Sequence, residues 1–266
     1  MGHEVQTWHH GLVARWWAEF NQGGDDVDFF RHAVAGSGAP VLDAGCGTGR
    51  LLLPLRRDGI DVDGADVSTD MLDRCRSALA AEGLSATLYP QALHELNLPR
   101  DYRTIVVCRA FGLGGSREQD LEGLRRLHAH LQPGGTLFMD HYLPNLETPE
   151  AWKFWLERPE LPGRWPRHAD RRRAADGTEL EMRARLAGLD PLALTSTLEI
   201  EVRHLASDRV EACETGLIRI NLYFRPEIEL MLRVAGFTSV SVTGGLEDRP
   251  ARPWEDARIV FRACRP

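Results

Sequence analysis

The chain has 266 residues, 43% hydrophobic and 27% charged, enough for one large α/β domain with an elaborate insertion and a sizeable core. Its formal charge of -7 speaks against a nucleic-acid partner, and no run approaches the roughly 18 apolar residues of a membrane span. The five cysteines, Cys46, Cys75, Cys108, Cys213 and Cys264, form no CxxC pair and no zinc spacing, so no metal is expected.

Residues 5–20 read as a helix with Trp8, Leu12 and Trp16 on one side, broken by Gly23-Gly24. A second helix, about 26–35, ends at Gly36-Ser37-Gly38. Val41-Leu42 opens a short strand that runs into Asp43-Ala44-Gly45-Cys46-Gly47-Thr48-Gly49, and a helix of about 49–58 follows. Residues 60–67 read as the second strand. Ser68 is the N-cap of a helix over 69–82, which Gly83 ends. Thr87-Leu88-Tyr89 is a short third strand. Residues 104–108 are wholly apolar, as suits a central parallel strand buried on both faces. A helix over 117–131 is stopped by Pro133-Gly134-Gly135, and residues 136–141 form a fifth strand. This alternation predicts a parallel, doubly wound sheet with helices on both faces.

The alternation then pauses. Residues 144–168 are rich in Pro and Trp, and from 169 to 224 the apolar period becomes two. Leu180, Met182, Ala184 and Leu186 alternate with charged residues, as do Leu198, Ile200 and Val202, and then Ile218, Ile220, Leu222 and Phe224. Turn signals at Asp176-Gly177, Asp190-Pro191 and Ser207-Asp208 separate these runs. They predict a small antiparallel sheet inserted between the fifth strand and the last helix. The α/β pattern resumes with a helix over 226–235 and strands at 238–243 and 257–263.

Glycines between a strand and a helix let the backbone approach a ligand closely. In Asp43–Gly49 the ligand class turns on Asp43, whose carboxylate would repel a pyrophosphate seated at the helix N-terminus. S-adenosylmethionine (SAM) carries no phosphate there; it presents an ammonium and a sulfonium instead. Asp66 ends the second strand, where an acid accepts hydrogen bonds from ribose hydroxyls. Met71, one turn into the next helix, is placed to line an adenine pocket.

The VLDAGCGTG run, Asp66, Leu131-Gln132-Pro133-Gly134-Gly135 and the helix ending in Ala235-Gly236-Phe237 resemble class I SAM-dependent methyltransferases. The likeness covers residues 40–143 and 225–264. It implies a Rossmann-like, seven-stranded, mostly parallel sheet with the last strand antiparallel, SAM as cofactor and S-adenosylhomocysteine as product. The insertion resembles those of small-molecule N- and O-methyltransferases, where it often roofs the acceptor pocket. The implied cofactor residues are Asp43, Ala44, Gly45, Cys46, Gly47, Gly49, Asp66, Val67, Met71, Gln91, Ala92, Leu93 and Arg109. Gln91 departs from the family, which often has an acid there; its side-chain carbonyl is expected to take the adenine amino group instead.

The expected division is a helical lid over 1–38, a SAM-binding core over 39–143, the antiparallel insertion over 144–224 and the rest of the core over 225–266. The lid follows from the aromatic density of Trp8, His9, His10, Trp16 and Trp17. Trp152, Trp155, Arg219 and Tyr223 are the expected acceptor residues, with a homodimer surface as the other use of the insertion. His141, at the end of the fifth strand, is the candidate base, with Tyr142 beside it to hold the acceptor. The expected function is methyl transfer to a nitrogen or oxygen of a small molecule, in the cytoplasm. The alternatives are a SAM-binding module without catalysis and a nicotinamide-dependent oxidoreductase.

Overall fold

The computed structural model describes residues 7–144, 160–206, 209–253 and 255–266. The chain runs α1 (Gly11–Phe20), α2 (Asp25–Ser37), β1 (Val41–Ala44), α3 (Leu52–Arg57), β2 (Val62–Asp66), α4 (Thr69–Ala81), β3 (Leu88–Pro90), a single 3-10 turn (Leu93–Glu95), β4 (Tyr102–Val107), α5 (Arg117–Ala129) and β5 (Leu131–Tyr142). The strands β6 (Asp170–Arg173), β7 (Glu179–Asp190), β8 (Thr195–Ala206) and β9 (Arg209–Asn221) follow. The chain closes with α6 (Arg225–Val234), β10 (Thr238–Gly244) and β11 (Arg258–Cys264).

Seven strands form one sheet in the order β3-β2-β1-β4-β5-β11-β10. The first five are parallel, and β11 runs antiparallel to both β5 and β10. Two apolar layers bury this sheet. Val27 and Phe30 of α2, Leu52 and Leu55 of α3, and Leu72 and Leu79 of α4 pack on one face. Leu124 and Leu127 of α5, with Ile228 and Leu232 of α6, pack on the other. Because strand side chains alternate, Val41 and Val62 serve the first layer while Leu42 and Ala65 serve the second. That is why Val41-Leu42 of β1 and Ile105-Val106-Val107 of β4 are apolar on successive residues.

The insertion is an antiparallel sheet in the order β6-β7-β8-β9. Its apolar face, Leu180, Ile200 and Val202, packs against Val13 and Trp16 of α1. The other face carries cross-strand pairs such as Arg183–Glu201 (2.8 Å) and Arg185–Glu199 (2.6 Å). Trp165 lies under two of its cations, with the Arg183 and Arg185 guanidiniums 4.5 and 4.4 Å from the ring centre.

Several boundaries differ from the sequence expectation. The first helix begins at Gly11 rather than residue 5, because Gly11 has φ +49°, which no helix interior accepts. Residues 7–10 run instead as a crossing segment outside α1. The third helix starts at Leu52 rather than 49, since Gly49 has φ +88°. Pro133-Gly134-Gly135 lies inside β5 rather than before it, at a register irregularity opposite β4. The turn at Ser207-Asp208 lies outside the described residues.

Candidate active site

A cavity of about 300 Å³ opens at the carboxyl ends of β1, β2 and β4, where the strand order reverses. Its floor is the loop Gly45-Cys46-Gly47-Thr48. Gly45 has φ +83°, and a side chain there would overlap the Ala110 methyl. Gly47 has φ +54°, and a Cβ on it would sit 3.1 Å from Met71 Cε. Asp66 joins this loop to α4: its carboxylate accepts from Gly47 N–H (2.9 Å) and Ser68 N–H (2.8 Å). Ser68 in turn accepts from Met71 N–H at 3.2 Å, capping α4. Val67, Met71, Gln91, Ala92 and Leu93 line one side wall.

Beneath the loop lies a charged layer. Asp26 of α2 accepts from Arg50 at 2.6 and 2.7 Å and pairs with Arg258 at 3.2 Å and Arg109 at 3.4 Å. Burial alone would raise the Asp26 carboxyl, but these cations, Arg50 foremost, hold it far below the usual carboxylate range. Asp140 binds Arg258 at 2.5 Å and accepts from Arg109 N–H at 2.7 Å, which fixes Arg109 at φ +56°. Arg50 and Arg109 also reach the cavity. Asp43 is 2% exposed, and its Oδ2 has no hydrogen-bond partner. Burial pushes its carboxyl up to about 7, with Arg50 opposing.

The crossing segment closes one side of the cavity with Thr7, Trp8 and His9, joined by Trp17 of α1. Trp8 Nε1 donates to His9 Nε2 at 3.1 Å, and Ser68 Oγ donates to the His9 carbonyl. Burial, with His10 adding to it, lowers the His9 imidazole to about 4, so it is neutral at physiological pH. Opposite the glycine loop the walls are Leu113, Ile218, Ile220, Gly115 and Asp120. Here the segment after β4 is bonded to β9: Gly114 N–H donates to Arg219 O and Asn221 N–H to Gly112 O, both at 2.8 Å.

Of the residues expected to meet the cofactor, Gly45, Cys46, Gly47, Asp66, Val67, Met71, Gln91, Ala92, Leu93 and Arg109 line the cavity together. Asp43 and Ala44 lie beneath the loop, and Gly49 turns away to pack on Leu53 and Cys75. The side-chain oxygen of Gln91 is already engaged, accepting from Asn97 N–H at 2.9 Å.

The expected base stands elsewhere. His141 is outside the cavity wall; its Nε2 bonds the Tyr223 carbonyl at 3.0 Å, and burial lowers its pKa. Tyr142, on the other face of β5, is 44% exposed beneath the Arg258 guanidinium. Arg219 is exposed because its strand neighbours Ile218 and Ile220 take the inward positions. Tyr223 is fully buried behind the wall, donating to Asp120 at 2.7 Å. Trp152 and Trp155 lie outside the described residues.

Sequence reasoning missed Asp120, Gln119, Leu113, Ile218, Ile220 and Arg50 as lining residues. Ile218 and Ile220 carried a signal, as the apolar phase of an alternating strand. Asp120 carried none: it is one acid among several in α5, and it faces the cavity only because β9 crosses there.

Residues 41–135 match the family model for a methyltransferase domain. A cypemycin N-terminal methyltransferase from a Streptomyces species is 31% identical over 107 residues, 39% of this chain and 42% of that protein. An uncharacterised RNA methyltransferase from Parasynechococcus marenigrum is 38% identical over 71 residues, 27% of this chain and 15% of that protein. The chain thus spans less than half the length of either relative. A solved sugar N-methyltransferase from Streptoalloteichus superposes with TM-score 0.69 at 17% identity, covering 100% of this chain and 95% of its own.

Proposed function

We propose that the chain is a SAM-dependent methyltransferase that methylates a nitrogen or oxygen of a small-molecule acceptor, a reading supported by its methyltransferase-domain match and its seven-stranded sheet. The observation that carries this reading is a continuous cavity from the glycine loop and Asp66 to the apolar end at Leu113, Ile218 and Ile220. Its apolar end lies apart from the residues expected to hold the cofactor, which suits a second reactant there.

The residues present suit SAM. The unpartnered Asp43 Oδ2 favours a cationic group placed over the loop. Asp66 is set to accept from ribose hydroxyls, Val67, Met71 and Leu93 to flank the adenine, and Arg109 to hold a carboxylate. The sulfonium supplies an already electrophilic methyl group. The chain's own task is to align the acceptor and keep water out, and orientation alone supplies roughly 7–11 kcal/mol in favourable cases. Trp8, His9 and Trp17 serve as the lid of this site. The acidic balance of the chain and the names of the sugar N-methyltransferase and the N-terminal methyltransferase support a small, nitrogen-bearing acceptor over a nucleic acid.

Calorimetry with SAM tests the cofactor half. Gly47→Val forces a β-branched residue to φ +54° against Met71. Asp66→Ala removes a charge-assisted pair of roughly 1.5–3 kcal/mol. Both variants are expected to bind SAM at least about tenfold more weakly. Unchanged affinity in both would overturn the assignment.

A further inference from the structure

Asp120 is 9% exposed and lines the cavity at its apolar end. Its Oδ2 takes both fixed donors, Asn221 Nδ2 at 2.7 Å and Tyr223 OH at 2.7 Å. Among the described residues no donor reaches Oδ1, and no cation lies within ion-pairing distance of the carboxylate. Arg117, on the same helix, is the nearest candidate, but it is spent on Glu227 and on the face of the Tyr223 ring. The neighbouring His94 bonds Gln119 at 3.0 Å.

A buried carboxylate without a directly paired countercharge is costly: burial raises the Asp120 carboxyl, and the bonds from Asn221 and Tyr223, with the more distant Arg117 and His94, offset this only in part. Asn221 and Tyr223 hold Oδ2, and Oδ1 lies on the side of Gly115, 3.8 Å from where a Cβ on that cavity-lining residue would sit. A neutral or anionic group seated there would leave the charge uncompensated. A protonated amine supplies both the countercharge and the donor.

We infer that Asp120 is the recognition point for a cationic amine on the acceptor, so that the acceptor class is an apolar or cyclic molecule bearing an amino group. This deepens the methyltransferase reading and rests on it. Asp120 touches the acceptor in this scheme, while Asn221 and Tyr223 act through it as positioning residues.

The test uses the full chain loaded with S-adenosylhomocysteine and two matched probes, cyclohexylmethylamine and cyclohexylmethanol. Calorimetry near neutral pH is expected to give the amine at least a roughly tenfold advantage. Asp120→Asn keeps the shape and an acceptor oxygen for Tyr223, and is expected to erase that advantage while leaving SAM affinity within about twofold. Its circular dichroism and melting temperature check that it folds. Equal affinity of the two probes for the wild-type chain overturns the inference without any variant, as does failure of both to bind. So does an amine preference that survives in Asp120→Asn. If Asp120→Asn instead weakens SAM itself tenfold, the carboxylate serves the adenine amino group and the inference falls. Failure of the wild-type chain to bind SAM or S-adenosylhomocysteine would be different: it would remove the methyltransferase reading beneath.

Discussion

Asp43 ends β1 with one carboxyl oxygen unpartnered, and burial raises it from 3.8 to about 7. Its folded pKa therefore lies above its unfolded value, and the ionised form is the penalised one. The chain loses stability as pH rises from about 4 to about 7, and the penalty then levels off. Asp43→Asn cannot ionise, so it is expected to raise the melting temperature near pH 8 and change it little near pH 4. Calorimetric melting at the two pH values checks this. The same group answers to a cationic ligand. A SAM ammonium over the loop favours ionised Asp43, so binding releases a proton around neutrality, and affinity is expected to weaken as pH falls below about 7. In Asp43→Asn both the affinity and its pH dependence should diminish. A wild-type SAM affinity that stays flat between about pH 6 and 8 would count against this linkage.

At the scale of elements, the segment before α1 depends on β9, a strand from the far end of the inserted sheet. Trp8 crosses β9 at Gly216, where a Cβ would come within 2.7 Å of Trp8 Cβ. A glycine inside a 13-residue strand weakens the strand, so its use is the close approach it permits. Val13 and Trp16 anchor the rest of the N-terminal unit on β7 and β8. Gly216→Val suits a strand but pushes Trp8 off the cavity. It is expected to preserve the far-ultraviolet spectrum and lower kcat/KM by roughly ten- to hundred-fold. Steady-state kinetics beside a melting curve separates the two effects; unchanged kinetics would show that turnover does not depend on this crossing.

Across the whole molecule, one charged layer ties the parts of the core to the glycine loop. Asp26 reaches from α2 to Arg50 after the glycine loop, Arg109 after β4 and Arg258 on β11. Its side chain is 1% exposed, so the pairs are poorly screened. Removing one member strands the others: Asp26→Asn is expected to cost about 3–5 kcal/mol at neutral pH. Its folded pKa is depressed, so its contribution is present above the unfolded value of 3.8 and is lost progressively as pH falls below that. Denaturant titrations near pH 7 and near pH 3 should therefore show a large difference between wild type and variant at the first and a smaller one at the second. The layer also holds the cations that reach the cavity: Asp26 grips the Arg50 guanidinium, and Asp140 accepts from the Arg109 backbone N–H.

Local physics made much of this protein legible in its sequence. Apolar runs buried on both faces marked β1 and β4, period-two alternation marked the inserted sheet, and glycines forced to positive φ marked the loop that meets Asp66. These features depend on a few neighbouring residues, so the order of amino acids carries them. The direction of a side chain and the charge it bears depend on what packs against it from elsewhere. His141 read as a strand-end base, yet the Tyr223 carbonyl brought in before α6 claims its ring. Arg219 read as an acceptor residue, yet the register of β9 sends Ile218 and Ile220 inward and turns Arg219 out. Asp120 was one acid in a helix until Asn221 and Tyr223 closed on it from 101 and 103 residues away. The sequence by itself determined the fold class and the glycine loop; only the tertiary structure decided which side chains share the cavity and which stay charged, because burial and long-range contact set both.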